Sequence, residues 1–151
     1  MRIEVDDLSR AEVVALVELH LREAFASSPA CHVFALDTTK LADSAVMLWT
    51  AWEDGELLAM GALKHLDAEH GEIKSMRTAP GALRRGVGRA MLDHLIGEAR
   101  ARNYRLLSLE TGNNEPFAPA RALYQRAGFV ECEPFADYTD VSFSRYFTLA
   151  L

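Results

Sequence analysis

The sequence predicts a mixed α/β domain with the element order β-α-α-β-β-β-α-β-α-β-β. Three observations lead there. Strand-forming runs between Ala45 and Thr78 are separated only by the turn signals Asp54–Gly55 and Asp67–Gly71, which describes an antiparallel meander. From Glu72 to Glu110 the apolar period passes from strand to helix to strand, the pattern of a βαβ unit with a right-handed parallel crossover. With 151 residues, half of them hydrophobic, the chain has material for one domain (1–151) and its core.

Taken in order, Arg2–Asp6 alternates polar and apolar residues and reads as a short strand. Ser9 and Glu12 have the spacing of a capping box, and Val13, Leu16, Val17, His20, Leu21 and Ala24 form an apolar stripe behind it. His20 is read as part of that helix face. Ser27–Ser28–Pro29 ends the helix. A linker with Cys31, His32 and Phe34 then either lines a cleft or covers the core. It leads to a second short helix near Asp37–Ser44, capped by Asp37, Thr38 or Thr39. Ala45–Trp52, Glu56–Leu66 and Glu72–Thr78 are the meander strands. The helix opening at Gly86 carries Val87, Ala90, Met91, His94, Leu95 and Ala99 at helical spacing, and Arg105–Glu110 is the strand after it. Thr111–Asn114 is a loop. Pro119 suits the first turn of a helix Ala118–Arg126 that Gly128 terminates. Phe129–Glu133 and Ser142–Leu151 close the chain as strands.

Charge narrows the partners. Sixteen basic against 22 acidic residues give a net charge of −6, which argues against nucleic acid held on a broad basic face. The arginines concentrate between Arg84 and Arg105, which suits a small polyanion. Cys31 and Cys132 are too few and too far apart for a disulfide framework, and reduced thiols in a cytoplasmic protein are expected. No metal-ligand spacing joins them to His20, His32, His65, His70 or His94, so no metal is expected. No apolar run reaches membrane-spanning length, and no membrane partner is expected.

The chemistry concentrates in Glu72–Pro80 and Gly81–Arg89: a strand, a glycine- and arginine-rich turn, and a helix opening. Gly86 and Gly88 let the backbone press close to a ligand, and the helix start offers free N–H groups. Together they make a socket for a phosphate or pyrophosphate, with Arg84, Arg85 and Arg89 adding charge. A Walker A reading fails because Val87 and Gly88 stand where Lys and Ser/Thr are required. A dinucleotide fingerprint lacks its third glycine, replaced by Met91, although Glu110 lies at the ribose-binding distance. The pyrophosphate loop of a coenzyme A enzyme and an ordinary Gly-rich turn remain.

Met76–Thr78, the Gly86-x-Gly88 turn and Ala122–Leu123–Tyr124–Gln125–Arg126–Ala127–Gly128–Phe129 together resemble the GNAT superfamily of N-acyltransferases, across residues 45–133. The resemblance implies a sheet that splays between its fourth and fifth strands, with acetyl-coenzyme A in the split. Met76, Arg77 and Thr78 would pair with the pantetheine arm like an added strand. The amides of Leu83, Arg84, Arg85, Gly86, Val87, Gly88 and Arg89 would hold the pyrophosphate. The Met76 N–H would face the developing oxyanion, provided a bulge frees it. Tyr124 matches the tyrosine of the family's L-Y-x-x-x-G-F motif and would protonate the leaving thiolate.

For the base, Glu72 lies four residues before Met76 and, by alternation, shares a face with Lys74 and Met76 up to any bulge. Glu110, His65 and His70 are alternatives. The chain departs from the family pattern at Leu83, where Gln or Arg is usual, and at Phe117, where many members have Asn; Asn113 or Asn114 would take over that contact. The implied reaction is acetyl transfer from acetyl-coenzyme A to a primary amine of a small molecule. Lys74 and Arg77 would suit an amino-acid-like, carboxylate-bearing acceptor. A non-catalytic acyl-coenzyme A sensor, a protein N-terminal or lysine acetyltransferase, and a nucleotide-binding protein are the competing readings. The resemblance admits a homodimer.

Overall fold

The computed structural model describes residues 1–151. Its strands are β1 (Arg2–Asp6), β2 (Val46–Glu53), β3 (Glu56–Asp67), β4 (His70–Thr78), β5 (Leu106–Gly112), β6 (Val130–Cys132) and β7 (Ser144–Ala150). Its helices are α1 (Ala11–Ser27), α2 (Thr38–Leu41), α3 (Val87–Ala101) and α4 (Ala118–Arg126). The strands form one sheet in the order β1-β2-β3-β4-β5-β7-β6, antiparallel throughout except for the β4–β5 pair. The expected mixed α/β architecture and element order are present.

Local chemistry explains the joints. Asp54 and Gly55 both take positive φ, the backbone of a tight hairpin whose twist matches its strands. Asp37 caps α2, its side chain accepting the Lys40 N–H at 2.8 Å. The capping box expected at the start of α1 does not form. Arg10 holds the N-cap position instead, while Asp6 and Asp7 accept the Leu8 and Ser9 amides and draw the chain into a turn of their own. Strand β5 also runs on through Thr111 and Gly112, where a loop was expected, because both residues pair with β7.

Each sheet face carries its own core. Met91, Leu92, Leu95 and Ala99 of α3 pack with Ala59, Leu63, Leu107 and Phe147 on one face. Val13, Leu16 and Val17 of α1 pack with Leu48, Met60 and Ala62 on the other. Met91, Leu92 and Leu95 are wholly buried, each worth about 1.5–3 kcal/mol relative to exposure.

Two irregularities position the site. Strands β4 and β5 pair only from His70↔Leu106 to Ile73↔Leu109, and then both continue without each other. Opposite this fork β4 carries a bulge: Arg77 pairs with Met60 and Lys74 with Ala62, so Ser75 and Met76 together face the single residue Gly61. Ser75 adopts φ +55° to make the step. The bulge reverses side-chain parity. Glu72 and Lys74 do share a face, but Met76 turns to the other, where its Sδ lies over Gly61 beside Leu95 and Met91 of α3. A Cβ on Gly61 would stand 3.0 Å from that sulfur and 2.9 Å from Leu95 Cδ1, so any larger residue would push these side chains aside.

Candidate active site

A cavity of about 100 Å³ sits in the fork between β4 and β5 and reaches through to both faces of the sheet. Lys74, Ser75 and Met76 line one wall; Leu109, Glu110 and Thr111 line the other. Tyr124 of α4 closes the α3 side, and His20 of α1 with Phe34 of the linker closes the opposite side. The linker therefore lines the cleft.

Tyr124 is buried against Phe129, with ring centroids 5.9 Å apart. Burial, and then the negative charge of Glu110, push its phenol well above the ordinary tyrosine range, so it stays protonated. No hydrogen bond from a neighbouring side chain perturbs it. Its hydroxyl has no hydrogen-bond acceptor among the protein's side chains.

Glu110 is the carboxyl group of the cavity. Burial raises its pKa above the usual glutamate value, and a hydrogen bond from Ser144 Oγ at 2.7 Å partly offsets the rise. Glu72 is placed differently. It is wholly buried and is not among the residues that line the cavity. Tyr138, from the connection between β6 and β7, donates to Glu72 Oε2 at 2.5 Å. The Lys74 ammonium donates to Tyr138 Oη at 2.7 Å and to the Phe34 carbonyl at 3.0 Å, and lies 3.5 Å from Glu72 Oε2. Glu72 thus anchors Lys74, Tyr138 and the linker. The histidine alternatives lie elsewhere: His65 Nδ1 is 2.6 Å from Tyr104 Oη, and His70 Nε2 is 2.7 Å from Ser108 Oγ, both outside the cavity lining.

The glycine-rich turn behaves as a local cradle. Arg84 and Gly86 both take left-handed backbone, with φ +62° and +77°, and Gly86 is the N-cap of α3. No atom lies within 4 Å of where a Gly86 Cβ would be, so its surface is open. Gly88 is packed instead; a Cβ there would stand 3.2 Å from Thr78 Oγ1 and 3.6 Å from Leu123 Cδ2, which ties the end of β4 and α4 to the start of α3. Leu83 is exposed and Val87 buried. Arg85 pairs with Glu53 at 3.1 Å and Arg89 with Asp93 at 2.9 Å, while Arg84 has no ion-pair partner. Arg77 pairs with Glu23 of α1.

Asn113 is not brought to the cavity. Its backbone N–H donates to Phe143 O at 2.9 Å and its side chain points to the Ser142 carbonyl, fastening the entry of β7. Asn114 binds the Ser27 carbonyl through its side chain. At the neighbouring position Phe117 lines the cavity, its ring lying on Gly112 so closely that a Cβ would stand 2.2 Å away. It supplies apolar contact where an amide was expected.

Sequence reasoning missed three residues. His20, read as helix packing, lines the cavity with a buried Nδ1 that has no partner. Burial, then the charge of Arg77, pull its pKa down to about 4, so the ring is neutral. Ser75 has a buried Oγ without a partner and also lines the cavity. Tyr138 had no motif to mark it. Only the unbroken apolar face around His20 carried a signal, and it pointed to packing.

Comparison with known proteins agrees with this geometry. Residues 13–129 match the family model described as the acetyltransferase (GNAT) family. The chain is 48% identical to the uncharacterized N-acetyltransferase YsnE of Bacillus subtilis over the full length of both. It is 46% identical to the uncharacterized N-acetyltransferase YedL of Escherichia coli, covering 99% of this chain and 94% of that one. It is also 34% identical to an IAA acetyltransferase of Azospirillum brasilense, covering 83% and 82%. Among solved structures, a putative acyl-CoA N-acyltransferase from Klebsiella pneumoniae superposes with TM-score 0.79 at 25% identity, covering 99% and 97%. A Bacillus subtilis acetyltransferase in complex with CoA shares the fold with TM-score 0.75 at 18% identity, covering 99% and 98%.

Proposed function

The chain belongs to the GNAT acetyltransferase family and is an acyltransferase, and from that premise we propose that its 151 residues, as one domain, move the acetyl group of acetyl-coenzyme A directly to the primary amine of a small molecule. The observation that carries this reading is the neutral, unpartnered Tyr124 phenol, set across the β4–β5 fork from the bulge at Ser75–Met76.

The residues fit a thioester bearing a diphosphate. The half-buried strand end Met76–Thr78, unpaired on its β5 side, would receive the pantetheine arm as an added strand. The amides of Leu83–Arg89 around the left-handed Gly86, with the unpaired Arg84, would hold the pyrophosphate. Acetyl-coenzyme A supplies an activated acyl carbon. The chain supplies the rest. The Met76 N–H, at the break in the ladder, would donate to the carbonyl oxygen as negative charge develops there. Glu110 would take a proton from the incoming ammonium, its raised pKa bringing it nearer the working pH than an ordinary carboxylate. The amine nitrogen bonds to the acyl carbon as the carbon–sulfur bond breaks. Tyr124 would hand its proton to the departing sulfur and recover one from the amine, so one further proton leaves to solvent and the amide and thiol account for all atoms. Glu72 takes a positioning role through Tyr138 and Lys74. A cavity of about 100 Å³ favours a compact acceptor over a protein segment.

Tyr124→Phe tests the assignment. Thiol release should fall by about 10²-fold or more, while the melting-temperature rise on adding coenzyme A is kept. Full turnover in that variant would refute the phenol's role. Loss of both signals would mean that Tyr124 shapes the pocket and no more.

A further inference from the structure

The charges around the acceptor side of the cavity depend on which of its ionic groups are already paired. Lys74 lines the cavity and the charge of Arg77 reaches His20, and both are committed: Arg77 to Glu23, and Lys74 to the Phe34 carbonyl, the Tyr138 hydroxyl and the Glu72 carboxylate, while Arg121 is held by the Gly112 and Asn114 carbonyls. A substrate carboxylate placed there would find no free cation and would meet Glu110. What lacks a partner is uncharged. His20 Nδ1 and Ser75 Oγ are both buried, both without a hydrogen bond, and both on residues lining the cavity. A buried polar atom without a partner has lost its hydration for nothing, and a ligand that satisfies it recovers that cost. Glu110 keeps lone pairs beyond the one used by Ser144. In the tautomer protonated at Nε2 the neutral imidazole offers its lone pair at Nδ1, and with two on the hydroxyl and more on the carboxyl the site presents hydrogen-bond acceptors to a ligand rich in N–H and O–H groups.

We propose that the acceptor subsite selects a compact primary amine bearing no carboxylate or other anionic group, held through its own N–H and O–H hydrogens by His20, Ser75 and Glu110. The proposal rests on the acetyl-transfer reading and narrows its substrate class. It replaces the amino-acid-like acceptor expected from Lys74 and Arg77. The net charge of −6 points the same way, since it steers cations toward the protein and repels anions.

The test uses matched amines that differ only in the α-carboxylate: tyramine with tyrosine, histamine with histidine, ethanolamine with serine. Free thiol release gives kcat/KM for each, and coenzyme A thermal shift is measured beside it. The expected result is a preference of about tenfold or more for the carboxylate-free member of each pair that is turned over, the size of one lost or repelled polar contact. His20→Ala should raise the amine KM several-fold and leave the acetyl-coenzyme A KM unchanged. Equal or better use of the carboxylated members overturns the proposal. So does absence of turnover across the panel while coenzyme A still raises the melting temperature, which leaves acetyl transfer itself standing. No effect of coenzyme A on melting overturns the reading beneath it.

Discussion

His20 makes stability depend on pH in a way that can be calculated. The group is neutral in the folded protein, with its pKa pulled down to about 4 by burial and by Arg77, against 6.5 for an exposed imidazole. Glu23 opposes the shift and Lys74 assists it. Because the folded value is the lower one, the unfolded chain binds the proton first as pH falls. Stability is therefore full above about pH 6.5 and is lost on acidification toward pH 4. At 1.36 kcal/mol per pH unit the loss reaches about 2 kcal/mol by pH 5 and about 3 kcal/mol by pH 4. His20→Gln has no titrating ring and should lack this component. Urea unfolding of both proteins, followed by the fluorescence of the buried Trp49 and Trp52, isolates it from the carboxylates that titrate in each. The parent should lose about 2 kcal/mol more than the variant between about pH 7.5 and 5. Parallel curves would refute the claim that His20 is held neutral by its surroundings.

Two further outcomes bear on the site. Glu110→Gln should lower kcat by about 10²-fold and remove the acid limb of the pH–rate profile, a limb that lies above the ordinary glutamate range because burial raises the Glu110 pKa; an unchanged profile would return the base role to another group. Gly86→Asp places a negative charge on the open surface at the start of α3, at φ +77°, a conformation that Asp tolerates better than most residues. The fold should survive with a loss of about 1 kcal/mol. The acetyl-coenzyme A KM should rise at least about tenfold, and calorimetric titration showing parental affinity would exclude the turn from pyrophosphate binding.

Much of the architecture is written in short-range patterns. The boundaries Arg2–Asp6 and Ala118–Arg126 follow from alternation and from Pro119 and Gly128 at the helix ends, features that act within a few residues. The Asp54–Gly55 hairpin is equally local, since two left-handed residues in succession dictate the turn. The spacing of the Gly86-x-Gly88 turn and of Tyr124 carried the family resemblance, because a glycine turn opening a helix and a helix-borne tyrosine are each encoded in one segment. These parts are determined by the sequence read on its own.

The fork and its lining were decided only in three dimensions. The bulge at Ser75–Met76 exists because Gly61, on another strand, leaves room for the Met76 side chain under α3, and that single step puts Met76 and Glu72 on opposite faces. Which carboxylate meets the cavity depends on where β5 stops pairing with β4 and on Tyr138, which arrives from the far end of the chain to occupy Glu72. The pairing of Lys74 and Arg77 is likewise with groups 40 and more positions away, at Phe34, Glu23 and Tyr138. A side chain's charge is set by its residue type, but whether that charge is free to meet a substrate depends on which distant group reaches it first.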